Sequence, residues 1–187
     1  VLKTASALML SIVALQTETT VVLGSVERDL TGDGEPEVLR VVGVGPTTDD
    51  LVVTFTVESA GRTIYRFELA PLTRTVGLDA GRHMVSAEEH RVRIEEFGRR
   101  FFAEEKFQRP AEFLESLRAW ARARVAEISK VIARDRPASD TRAASAISQE
   151  ILESQVTIFT FSPGGDAVVA IGWSAQASRF YRLLECC

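Results

Sequence analysis

The sequence predicts an α+β domain: an antiparallel β-sheet, built from an N-terminal meander plus C-terminal strands, with two to three amphipathic helices packed on one face. Three observations carry this. Residues 17–80 hold four runs rich in β-branched and aromatic residues, separated by turn signals. Residues 86–153 change to the helical period, and residues 155–185 return to the strand pattern. Strands, then helices, then strands, with short links in the first part, favour a meander under a helical layer over parallel βαβ units. At 187 residues the chain is long enough for one domain with a sizeable core.

The elements follow in order. Lys3 precedes an apolar stretch over residues 5–15, and Gln16, Thr17 and Glu18 follow it. Eleven apolar-rich residues suit the h-region of a signal peptide and are too few to span a bilayer. Residues 1–16 therefore read as a signal peptide and residues 17–187 as the domain. That places the mature chain in a bacterial periplasm or outside the cell, with no stable membrane span.

Strands are predicted over 21–26, 38–44, 51–57 and 63–69, with Leu51, Val53, Phe55 and Val57 on one face. Ser86-Ala87-Glu88-Glu89 forms a capping box, after which His90, Ile94, Phe97 and Phe101 share one helical face. Pro110 restarts the chain, since proline is tolerated in a first turn. Leu114, Leu117, Ala121, Val125, Ile128 and Val131 then predict one long amphipathic helix over 110–134. Pro137-Ala138-Ser139-Asp140 breaks it, with Ser139 or Asp140 capping a third helix that carries Ala144, Ile147 and Ile151. Strands return at 156–161, 167–173 and 179–184, with a turn over 162–166.

Composition excludes some functions. The formal net charge is -4 and the arginines between Arg91 and Arg136 are interleaved with glutamates. That pattern is a solvated helical surface and not a nucleic-acid footprint. The two cysteines, Cys186 and Cys187, are adjacent. They cannot join distant parts of the fold, and they make neither a C-x-x-C motif nor a zinc set. They read as a terminal pair without structural duty, the alternatives being a vicinal or an intermolecular disulfide. His83 and His90 lack the partners of a zinc site, and His90 falls on the apolar face of its helix. No G-x-S-x-G elbow, P-loop or G-x-G-x-x-G fingerprint is present, so the chain leans away from an enzyme.

The segment Asp29-Leu30-Thr31-Gly32-Asp33-Gly34-Glu35-Pro36-Glu37 stands apart. Counted from Asp29, side-chain oxygens fall at positions 1, 3 and 5, glycine at 6, a usable carbonyl at 7 and a carboxylate at 9. Alternating oxygens around a glycine-hinged turn are what a hard cation with six to eight oxygen ligands requires. Position 12 is Arg40 and strand patterns flank the loop, which excludes an EF-hand. The metal-free alternative is a turn held by Asx-type hydrogen bonds.

This loop resembles the calcium loop of FG-GAP/VCBS-type repeats, in which D-x-[DNT]-x-D-G-x-x-[DE] joins two strands in exported and extracellular proteins. The resemblance covers about a dozen residues and occurs once, with Thr31 where Asp or Asn is commoner. It implies Ca²⁺ ligation by Asp29, Thr31, Asp33, the Glu35 carbonyl and Glu37, at a weak affinity of ~10⁻⁴–10⁻³ M. The expectation is an exported, periplasmic binding or structural domain whose first hairpin the loop stabilises. The alternatives are a small exported hydrolase using carboxylates such as Glu95 and Glu96, and an adaptor that binds a protein partner through its aromatic-rich helices.

Overall fold

In the computed structural model the described residues are 19–46, 51–70, 87–118 and 124–186. The meander forms as its alternation requires: β1 (Thr19–Arg28), β2 (Glu37–Gly45), β3 (Val52–Ser59) and β4 (Arg62–Glu68) make a four-stranded sheet in that order. All three pairings are antiparallel. Strand β2 alternates strictly, with Leu39 and Val41 buried and Val38, Arg40 and Val42 half-exposed. The same parity puts Glu37 on the inner face.

The helical region gives α1 (Ala87–Phe101), α2 (Pro110–Arg118), α3 (Arg124–Asp135) and α4 (Ala144–Glu153). The long helix expected over 110–134 is described as α2 and α3, and residues 119–123 between them lie outside the described residues. Pro110 does open α2, and the Glu112 carboxylate reaches back to accept the Arg109 N–H at 2.8 Å. The cap expected for α4 is different. The helix begins only at Ala144, so the N-cap position falls on Ala143, which supplies no side-chain bond, and not on Ser139 or Asp140. The capping box at Ser86 falls outside the described residues.

The C-terminal strands do not join the meander. A short β5 (Phe107–Gln108) pairs with β6 (Ile158–Gly164), followed by β7 (Ala167–Ser174) and β8 (Arg179–Cys186), in a second antiparallel sheet. The physical reason lies in the faces that must be covered. The meander has one apolar face and the helices have one apolar stripe each. Strands β6–β8 are apolar on both sides, which requires a layer above and a layer below.

Phe159, Phe161, Val169, Ile171 and Phe180 therefore pack with Leu39, Val41, Val53, Phe55 and Val57 in a core between the sheets. Ile158, Ala170, Tyr181 and Leu183 point the other way, onto Phe113 of α2, Ile128 and Ile132 of α3, and Ile147 and Ile151 of α4. The order is meander, second sheet, helices. Helix α1 stands apart from that helical layer: it lies along β1 and contributes Ile94, Phe97 and Phe101 to the inter-sheet core. Among the described residues no helix is long and apolar enough to cross a membrane. Cys186, at the end of β8, is disulfide-bonded.

Candidate functional site

The 29–37 loop connects β1 to β2, and its two glycines carry the positive φ it needs, +78° at Gly32 and +91° at Gly34. Its carboxylates hold its own backbone. Asp29 accepts the Gly32 N–H at 2.6 Å through Oδ1 and the Gly34 N–H at 3.0 Å through Oδ2. Asp33 Oδ1 accepts the Glu35 N–H at 2.9 Å.

Glu37 turns beneath the loop and is only 1% exposed. Its Oε2 accepts the N–H groups of Leu30 (2.7 Å) and Thr31 (3.3 Å), and Oε1 accepts the Thr31 hydroxyl at 3.2 Å. Burial raises the Glu37 carboxyl above its ordinary value; these bonds pull it down less, and Asp33 adds a small upward push.

The loop also reaches the second sheet. Leu30 is fully buried in the inter-sheet core, and its carbonyl accepts the Thr157 N–H at 3.2 Å, just before β6. A Cβ on Gly32 would sit 3.1 Å from the Gln155 carbonyl, so the loop rests directly on that segment.

The sequence-predicted ligands Asp29, Thr31, Asp33, Glu35 and Glu37 thus share one loop. Their residue types suit a hard cation. As hydrogen-bonded, however, the oxygens of Asp29, Asp33 and Glu37 face N–H groups. Among the described residues no group of three or more His, Cys, Asp or Glu is placed to hold a metal ion.

A second constellation, around Arg142, was not visible in the sequence because its members come from four separate elements. The Arg142 guanidinium donates to Asp140 (3.0 Å) and Glu150 (3.0 Å), and Glu150 accepts the Ser174 hydroxyl at 2.8 Å and the Gln176 N–H at 3.0 Å. The Tyr181 hydroxyl donates to Asp140. Every partner is satisfied, so this is a clamp tying the α3–α4 connection to β7 and β8.

Arg142, then Tyr181, hold the Asp140 carboxyl well below the usual carboxylate range. A depressed folded-state value stabilises above the unfolded value and is lost as pH falls through the folded one. Asp140→Asn is therefore expected to show a shallower loss of stability than the parent between about pH 5 and about pH 2 in urea titrations. Parallel profiles would show that the clamp does not couple to folding.

A third feature is an open cleft of about 550 Å³ between two edge strands, β4 and β8. Tyr65, Phe67 and Phe180 line it, with the Tyr65 and Phe180 rings edge to face at 5.7 Å. On one wall Asp135, the last residue of α3, accepts the Arg182 N–H at 3.0 Å and pairs with its guanidinium at 2.8 Å. That interaction covers the exposed backbone of β8. Burial, then Asp135, raises the Tyr65 phenol above its ordinary value, so it stays protonated. No local motif signals this cleft, because its residues are remote in sequence.

The remaining sequence-stated candidates resolve simply. Glu95 is exposed and Glu96 half-exposed on α1, where they pair with Arg91 and Arg100. Phe97, Phe101, Phe102 and Phe107 belong to the inter-sheet core and Phe113 to the helical core; Trp120 lies outside the described residues. His83 and the His90 side chain also lie outside them. The likeness of the loop to FG-GAP/VCBS-type repeats rests on the dozen residues that carry it. Comparison with protein-family models, with curated proteins and with solved structures finds no match.

Proposed function

We propose that this chain is an exported, non-enzymatic binding or structural domain of a bacterial periplasm or cell exterior, with Ca²⁺ as a weak auxiliary ligand of its 29–37 loop. The observation that carries the reading is Glu37. A carboxylate on the inner face of a strand, holding two loop N–H groups and a hydroxyl, makes the loop a staple between the first hairpin and the second sheet. The location is supported by the signal-like composition of residues 1–16.

In this reading the ion is held by Asp29, Thr31, Asp33, the Glu35 carbonyl and Glu37. Binding requires Asp29, Asp33 and Glu37 to exchange hydrogen bonds for the cation, which keeps the affinity in the ~10⁻⁴–10⁻³ M range. At about five times Kd the linkage is about 1 kcal/mol, or roughly 2–4 °C in Tm for a domain of this size. A thermal melt in millimolar Ca²⁺ against one in EDTA is expected to show that rise, and Asp33→Ala to abolish it. A melt indifferent to Ca²⁺ removes the ion from the reading and leaves the hydrogen-bonded staple.

A further inference from the structure

The cleft between β4 and β8 has the ingredients of a ligand site in its lining. Its apolar part is Ile64, Phe67, Phe180 and the Tyr65 ring. Its charges are three arginines, Arg66, Arg179 and Arg182, against two carboxylates, Glu68 and Asp135. Arg182 is neutralised by Asp135 at 2.8 Å and by Glu185 at 3.1 Å. Arg66 and Arg179 have no carboxylate partner among the described residues. The Arg179 guanidinium instead lies 4.8 Å from the centre of the Tyr181 ring and donates weakly to the Phe180 carbonyl at 3.4 Å. Stacking leaves the edge of its planar fork available to an acceptor.

The Tyr65 hydroxyl forms no hydrogen bond within the described residues, although its ring is packed between Phe55 and Phe180. A phenol held rigidly at its ring and unpartnered at its oxygen is a donor waiting for an acceptor. The volume, about 550 Å³, falls within the range of small-molecule sites.

We propose that this cleft binds a small aromatic carboxylate, its ring against Phe67 and Phe180 and its carboxylate accepting from Arg179, Arg66 and the Tyr65 hydroxyl. The sign follows from the two arginines without carboxylate partners among the described residues outweighing Glu68. The aromatic body follows from the rings that make up the apolar lining, where face or edge contact adds to burial. The inference rests on reading the chain as a binding domain, but not on the 29–37 loop. Loop variants test one and cleft variants the other.

The test is isothermal titration of the full chain with 2-naphthoate, and with 2-naphthamide, acetate and inorganic phosphate as controls. The naphthoate is expected to bind with Kd below about 1 mM. The neutral amide should bind at least about tenfold more weakly, the loss that one charge-assisted bond accounts for, and the small anions likewise because they lack the aromatic body. Arg179→Gln should weaken naphthoate about tenfold. Tyr65→Phe, which removes only an oxygen that has no hydrogen-bond partner among the described residues, should weaken it by a smaller factor while leaving the melt unchanged. Asp33→Ala should leave naphthoate binding intact. No binding at millimolar naphthoate, equal binding of the amide, or indifference to both Arg179→Gln and Tyr65→Phe would overturn the assignment.

Discussion

Replacing Glu37 with alanine is expected to lower the unfolding free energy by roughly 3 kcal/mol, measured by denaturant titration. The substitution leaves the Leu30 and Thr31 N–H groups and the Thr31 hydroxyl facing a gap where they had acceptors. Each orphaned donor costs about 1–3 kcal/mol when water cannot reach it, and Leu30 is fully buried. Glu37→Gln is expected to cost much less. Its carbonyl can take both N–H groups, and its amide can donate to the Thr31 hydroxyl, which accepts as readily as it donates.

The pair of variants also separates charge from hydrogen bonding. Because burial raises the Glu37 carboxyl, its ionisation opposes folding. Its contribution is fully present below the unfolded value and is lost as pH rises through the folded one. Glu37→Gln should remove that decline, leaving stability flatter than in the parent just above the ordinary glutamate range. A fully stable Glu37→Ala, or a glutamine variant with the parent's pH profile, would contradict the staple.

Gly98→Ala is expected to destabilise by roughly 2–3 kcal/mol, although the same change in an exposed helix interior is ordinarily worth about 1 kcal/mol in favour of alanine. The reason is the approach of α1 to β1. A Cβ at Gly98 would collide with the Leu23 carbonyl oxygen, which is backbone and cannot rotate aside. On the strand side, a Cβ at Gly24 would stand 3.0 Å from the Gly98 Cα and 3.1 Å from the Phe102 ring. The two glycines therefore meet with no side chain between them, beside the register shift of β1 between Val22 and Gly24. Arg99→Ala, on the exposed face one residue along, should stay within about 0.5 kcal/mol of the parent. A stabilising Gly98→Ala would mean that α1 does not lie on β1 this closely.

The two glycines show where local reading stops. Gly98 breaks no periodicity, because Ile94, Phe97 and Phe101 mark the buried face regardless of it; only the neighbouring strand makes it indispensable. Glu37 was legible as a functional position in the loop, as a ligand reaching for a cation. Its strand parity, inward like Leu39 and Val41, was equally present in the sequence and accounts for its burial. The strand and helix positions were legible because each follows from a short period of apolar residues. The Arg142 clamp and the β4–β8 cleft were not, since Asp140, Ser174 and Tyr181, or Tyr65, Asp135 and Arg179, meet only after the chain has folded.

By itself, then, the sequence determined the α+β class, the order of strands and helices, the meander and the glycine-hinged loop, all of which depend on residues within a turn or two of one another. The tertiary structure decided that the eight described strands divide into two sheets, that the loop bridges them, and that two edge strands frame a cleft. Those outcomes depend on how many apolar faces must be covered at once, and strands β6–β8, apolar on both sides, take the middle layer because any other place would leave one of their faces in water.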